Sequence, residues 1–132
     1  MSPSLTREEL SEYRSQLRRR HAELRQEIRG ELLQADHERY ADIADHVHDP
    51  GDESVADLLS DLDLAAIDQD VNELRDVEAA LESIATGGYG FCIDCGADID
   101  KERLAAQATA RRCHDCQAAY ERTHAGERHS KL

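Results

Sequence analysis

Four thiols are the side chains best placed for chemistry. Cys92 and Cys95 form one Cys-x-x-Cys pair, and Cys113 and Cys116 form a second, with seventeen residues between the two pairs. Two pairs at this spacing can set four thiolates at the corners of a tetrahedron, the closed geometry of structural zinc. Gly90 and Gly96 flank the first pair, where the backbone must turn towards a metal. Four sulfur ligands leave no coordination position open, so metal catalysis is not expected. One structural Zn²⁺ is the first reading; a redox dithiol switch and disulfides are the others. His114 lies inside the second pair, but two matched Cys pairs close the shell without it.

A second constellation is acidic. Between Arg39 and Arg75 there is neither Lys nor Arg, and in that stretch Asp49 and Asp52 flank Pro50-Gly51. Carboxylates this close on an exposed turn can bind a hard cation, accept hydrogen bonds, or perturb a metal site in a partner. The plain alternative is a pair of turn and cap residues on a solvated face. A solvated face normally intersperses both signs. The absence of basic residues here suits a basic cavity instead.

Composition narrows the functions. With 16 basic and 29 acidic residues the net charge is −13, which argues against binding a nucleic-acid backbone. Lys101, Arg103, Arg111 and Arg112 make a local basic patch, better suited to an acidic protein surface than to DNA. No apolar run approaches the ~18–20 residues of a membrane span, and "MSPSLTREEL" carries no signal-peptide hydrophobic region. A cytoplasmic protein is expected, in which thiols stay reduced and serve as metal ligands. No Ser/His/Asp or Cys/His order, phosphate-cradling glycine loop or open metal site stands out, so a free-standing enzyme is not expected.

These groups must be carried by helices. Aromatics are only 4% of the chain, too few for a broad globular core but enough for paired helices that each bury one stripe. Thr6 with Glu9 three residues on is a capping-box signature that starts a helix. Leu10, Tyr13, Leu17, Leu24, Ile28 and Leu32 then trace one face near heptad spacing, and Tyr40, Ile43 and Val47 continue it with a shifted phase. Pro50 and Gly51 interrupt the pattern, and Asp52 or Ser54 can cap the next helix. A second periodic segment, best defined at Ile67, Leu74, Val77, Leu81 and Ile84, runs to Thr86 and ends at Gly87-Gly88.

The expected fold is therefore mainly α. A long antiparallel helical hairpin, of coiled-coil type, occupies 1–86 with its acidic tip near 49–54, at the far end of the rod. A small four-cysteine zinc-knuckle module, a zinc finger in outline, occupies 87–122. Within it, "DIDKERLAAQ" contributes a short helical turn and "CQAAYER" a short C-terminal helix. Residues 123–132 are expected to be a disordered tail.

The hairpin, the Asp-x-x-Asp turn and "GGYGFCIDCG…IDKERLAAQATARRCHDCQ" together resemble the DksA/TraR family of bacterial transcription regulators. The resemblance is close over about 49–122 and loose over the first helix. It implies a non-enzymatic, monomeric partner of bacterial RNA polymerase that inserts the hairpin into the secondary channel, with no sequence-specific contact to nucleic acid and no membrane. It assigns Asp49 and Asp52 to the tip near the polymerase active site, with Ser54 where the family carries alanine. Cys92, Cys95, Cys113 and Cys116 match the zinc ligands. The family's basic residues for the alarmone ppGpp fall on Asp76, Gln107 and Gln117, none of them basic, so weak or absent alarmone synergy is expected. Two other classes remain: a transcript-cleavage factor with acidic tip residues, and a zinc-stabilised protein-interaction adaptor or thiol-based stress sensor.

Overall fold

The computed structural model describes residues 5–129, with side chains described as far as His124. Helix α1 spans Arg7–Ala35 and opens with the expected capping box: Thr6 Oγ1 accepts from the Glu9 amide, and Glu9 Oε1 accepts from the Thr6 amide. It buries Leu17, Leu24, Ile28 and Leu32 along one stripe. At Asp36 the backbone swings to φ −163°, ψ 97°, and α2 (His37–His48) begins with the Asp36 carboxylate accepting from the Arg39 amide.

Helix α2 does not extend α1. It folds back along it, and Arg25 of α1 donates through Nη1 to the carbonyl of His48 at 3.1 Å. The shifted apolar phase at Tyr40, Ile43 and Val47 is the sequence trace of this reversal. α2 buries Ala44 and Val47.

Next comes the Pro50–Glu53 turn, closed by the Glu53 amide on the Pro50 carbonyl, with Gly51 at φ 66° where an L side chain would be strained. A short helix α3 (Val55–Leu59), capped by Ser54, packs on α4 (Ala65–Thr86). The expected single second helix is thus broken over 60–64. There Ser60 and Leu62 donate three residues back, to Asp57 and Leu59, as in a tightened helix end.

Helices α1 and α4 form the antiparallel pair. His21 Nε2 meets Glu78 Oε2 at 2.9 Å, Arg20 reaches Glu73 through Nε at 2.6 Å and Nη2 at 2.8 Å, and Glu31 faces Asp70. Beyond the middle of the rod, α2 and α3 thicken it into a small four-helix bundle. Val47, Val55, Ala56, Leu59, Ile67 and Leu74 are buried there with Leu24, Ile28 and Leu32.

The acidic turn is therefore not at the far end. It is held beside Arg25 and Glu78, eleven residues or about 16 Å back from the α1–α2 bend. The far end is built instead from Asp36 and the 60–64 segment. This corrects the expectation of a tip at 49–54.

Gly87, at φ 89°, ends α4 in the left-handed conformation, and Gly88 and Tyr89 both donate to the Ser83 carbonyl. The Cys-containing module contains α5 (Lys101–Ala106) and α6 (His114–His129), the latter kinked at His124. Residues 123–129, expected as disordered tail, continue α6, and 130–132 lie outside the described residues. No helix among the described residues is long and apolar enough to cross a membrane.

Glu78 ties three elements together. Its carboxylate meets His21 of α1 and accepts from Ser54 Oγ at 2.7 Å and from the Val55 amide at 2.9 Å. Burial alone raises its pKa, but these bonds outweigh burial and hold it below the ordinary value of 4.5. Its stabilisation is therefore full above pH 4.5 and is lost as the pH falls below that value. Glu78→Gln is expected to cost about 1–3 kcal/mol at neutral pH, with the gap to wild type closing on acidification. Urea melts at the two pH values measure both effects.

Candidate functional site

The metal centre is assembled from two short backbone devices and one tertiary contact. The first device is a knuckle over Cys92–Cys95. The Cys92 amide donates to Ala97 at 2.8 Å, the Gly96 amide donates back to Cys92 at 2.9 Å, and Gly96 sits at φ 78°. This turn points the Asp94 and Cys95 amides at Cys92 Sγ, at 3.4 and 3.5 Å. The second device is the start of α6, where Cys113 precedes the helix and Cys116 lies in its first turn. The Ile93 amide on the Arg111 carbonyl, at 2.9 Å, draws the two together.

The module is fastened to the base of the rod. Tyr89 is buried, donates from its hydroxyl to the Ala108 carbonyl at 2.7 Å, and packs against Tyr13 of α1 with ring centroids 5.7 Å apart. Ile99 and Leu104 are buried within the module, and Lys101 pairs with Glu9.

The sulfur atoms of Cys92, Cys95, Cys113 and Cys116 all lie within 4.8 Å of one another. A Zn–S bond of about 2.3 Å requires tetrahedron edges of ~3.8 Å. Cys95 Sγ and Cys113 Sγ are 3.8 Å apart. The donor set therefore fits one Zn²⁺. Its protonation chemistry agrees. Burial opposes ionisation of Cys92, but amides from Cys113, Cys95 and Asp94 bring its pKa down to about 6. Crowding by the neighbouring thiols pushes Cys116 up, so four thiolates this close need a divalent cation between them. Zinc held by these residues supplies folding energy rather than a reactive position.

The acidic turn is built differently. Asp49 caps the end of α2, and Asp52 follows Gly51 in the turn; both carboxylates are exposed. Among the described residues no ion pair engages either one, and neither joins a cluster of three potential metal ligands. Other acids of the stretch do find basic partners: His46 meets Glu53, and Arg75 meets Asp57 at 3.6 Å. Ser54 is half-buried and committed, accepting from the Asp57 amide and donating to Glu78. Sequence alone offers Asp52 or Ser54 as the cap, of which the structure uses Ser54, but it does not reveal Arg25 and Glu78 as the anchors of the turn. Those contacts span 23 to 24 residues and leave no local pattern.

Asp76, Gln107 and Gln117 are brought together. They line one cavity of about 490 Å³ with Arg103, Arg111 and Arg112. Two of these arginines are engaged. Arg112 bonds Asp94 at 2.8 Å and lies 3.9 Å over the Tyr120 ring, and Arg103 Nε donates to the Arg112 carbonyl. The three arginines of the basic patch and the three substituted positions thus line one surface, while Lys101 pairs with Glu9 instead.

Residues 87–122 match the family model of the prokaryotic DksA/TraR C4-type zinc finger. The chain is 33% identical over 73 residues to the RNA polymerase-binding transcription factor DksA of Haemophilus influenzae, covering 55% of this chain and 50% of that protein. It is 30% identical over 80 residues to the protein of the same name from Escherichia coli strain K12, covering 61% and 53%. An uncharacterised protein of Aquifex aeolicus is 37% identical over 70 residues, covering 53% and 43%. The chain spans about half the length of the curated relatives it matches. The C-terminal module thus matches the DksA/TraR-type C4 zinc finger, and its four cysteines are the set that holds one structural zinc.

Replacing one ligand, Cys95→Ser, is expected to abolish stoichiometric zinc binding and unfold 87–122 while α1 and α4 stay helical. Zinc content by metal analysis and helicity by circular dichroism check the two halves of that outcome. Retention of one zinc per chain in the variant would contradict the four-sulfur assignment.

Proposed function

We propose that this chain binds bacterial RNA polymerase in the cytoplasm and regulates transcription as a non-enzymatic factor. Its helical rod enters the secondary channel, and Asp49 and Asp52 act near the polymerase active site. The observation that carries this reading is one combination in one chain. A DksA/TraR-type C4 finger is fastened by Tyr89 to an antiparallel α1/α4 rod, and the Pro50-Gly51 turn of that rod bears two exposed carboxylates that no ion pair engages among the described residues. The names of the similar proteins support the partner.

The chemistry suits that role. A passage that admits anionic nucleotides to a catalytic cation favours negatively charged visitors, and a rod of net negative charge meets that requirement. Carboxylates brought near a bound cation alter its electrostatic environment without completing a reaction themselves. The zinc module fixes the base of the rod, so that insertion depth is set by helix length. The chain's negative charge disfavours independent binding to DNA.

Alarmone synergy through the cavity at Asp76, Gln107 and Gln117 is weak in this reading. Asp76 places a carboxylate where an anionic ligand would have to sit, and Arg103 and Arg112 are engaged by other groups. Asp76→Lys is expected to raise the response to ppGpp in a transcription assay. Equal stimulation of the wild type and this variant would count against the account.

The primary test is binding of zinc-loaded protein to bacterial RNA polymerase, with and without a known secondary-channel factor. Displacement by the competitor supports entry into the channel, whereas binding that ignores the competitor sinks it. Asp52→Asn is expected to bind and fold as wild type but to lose the effect on transcription. An unchanged effect would remove the acidic turn from the mechanism.

A further inference from the structure

The folded-back position of the acidic turn is at odds with a role at the leading end of a rod. Two features of the structure resolve this. Both interruptions in the helices, Asp36 and residues 60–64, lie at the same end of the α1/α4 pair. Each is also a short break. At Asp36 the amide still donates to Leu32 and the carbonyl still accepts from Tyr40, so only the bonds of 37–39 to the preceding turn are missing. Leu64 starts α4 with no side-chain cap.

The register of the α1/α4 pair points to what lies beyond these breaks. Residues that face one another have numbers totalling 99 at His21–Glu78 and 101 at Glu31–Asp70, while Arg20 reaches diagonally to Glu73. An antiparallel pair in that register turns at Pro50-Gly51. Continued past Asp36, it sets Ala44 opposite Ala56, Val47 opposite Val55, and Ile43 opposite Leu58. The His46–Glu53 pair fits the same register and survives unchanged. The apolar faces of α2 and α3, now buried against α1 and α4, can thus bury against each other instead.

We infer that residues 36–64 are a jackknife. In the folded form they lie back and withdraw Asp49 and Asp52 along the rod. Hinging at Asp36 and 60–64 lets α2 and α3 pair beyond the present end and carries the acidic turn to the tip. The shift in apolar phase between α1 and α2 weakens the extended form, and the Glu78 staple to Ser54 and Val55 holds the folded one. The folded form has its own cost: Arg25 and Arg29, one turn apart on α1, each bury an Nε without a partner. That the extended form is the one that engages polymerase rests on the function proposed above; the hinge itself does not.

Two variants of the full zinc-loaded chain separate the forms. His37→Pro locks the fold-back, because position 37 is the first residue of α2, where proline is favoured, and Asp36 already has the extended backbone that precedes proline. Asp36→Ala combined with Glu78→Gln removes the cap and weakens the staple. Small-angle scattering is expected to show the double variant longer than His37→Pro by about 18 Å, the length of α2. Equal maximum dimensions, with helicity preserved in both, would overturn the jackknife. In a transcription assay His37→Pro is expected to act about tenfold more weakly than wild type, as the competent population is removed. Undiminished activity of His37→Pro would overturn the extended form as the working state. If the wild type itself fails to bind polymerase, the functional reading falls, and the scattering comparison still decides the hinge.

Discussion

The structure depends on one apolar stripe, Leu17, Leu24, Ile28 and Leu32 of α1. An aromatic-poor chain cannot close a broad core, so its helices must share narrow seams. α1 offers its seam to α4 along the rod and to α2 in the distal half, and α3 completes the enclosure from α4. Each fully buried Leu or Val in this seam contributes about 1.5–3 kcal/mol of transfer free energy. The competition among partners for that stripe decides where the acidic turn lies. When α2 takes the stripe, Asp49 and Asp52 are pulled back to the level of Arg25.

The C-terminal module follows a different rule. From Gly87 to Tyr120 the buried apolar groups are few, chiefly Tyr89, Ile99, Leu104 and Ala110. A segment of that size needs a cross-link to hold one conformation, and four thiolates around a cation supply it. The Tyr89–Tyr13 contact and the Lys101–Glu9 pair transmit that rigidity to the rod. The cluster is thus tied both to its own fold and to α1, the helix along which α2 and the acidic turn are packed.

Electrostatics divides the surface by function. Some acids of the middle segment are caps or have partners: Asp36 caps α2, Asp57 meets Arg75, Glu73 meets Arg20, and Glu78 is the staple. Asp49 and Asp52 are exposed at the turn, and the nearby Arg25 guanidinium is directed to the His48 carbonyl. The cavity of Asp76, Gln107 and Gln117 shows the opposite arrangement, with arginines gathered close by but two of them spent on Asp94, Tyr120 and backbone carbonyl groups.

The sequence by itself determined what depends on near neighbours along the chain. The Thr6–Glu9 capping box, the Gly87-Gly88 end of α4, the turn at Pro50-Gly51, a cap at Asp52 or Ser54 and the two Cys-x-x-Cys pairs each act within a few residues, and each is legible in the residue types alone. The helical class followed from periodicity. Only the tertiary structure decided whether the shifted phase at Tyr40 meant a continued helix or a reversal, because Asp36, though favoured at a cap, is also tolerated on a helix surface. It also decided that Ser54 answers to Glu78, that Arg25 holds the end of α2, and that three residues spaced over 76–117 share a cavity. These outcomes are set by which faces win the same apolar stripe, a competition between distant segments that no local spacing records.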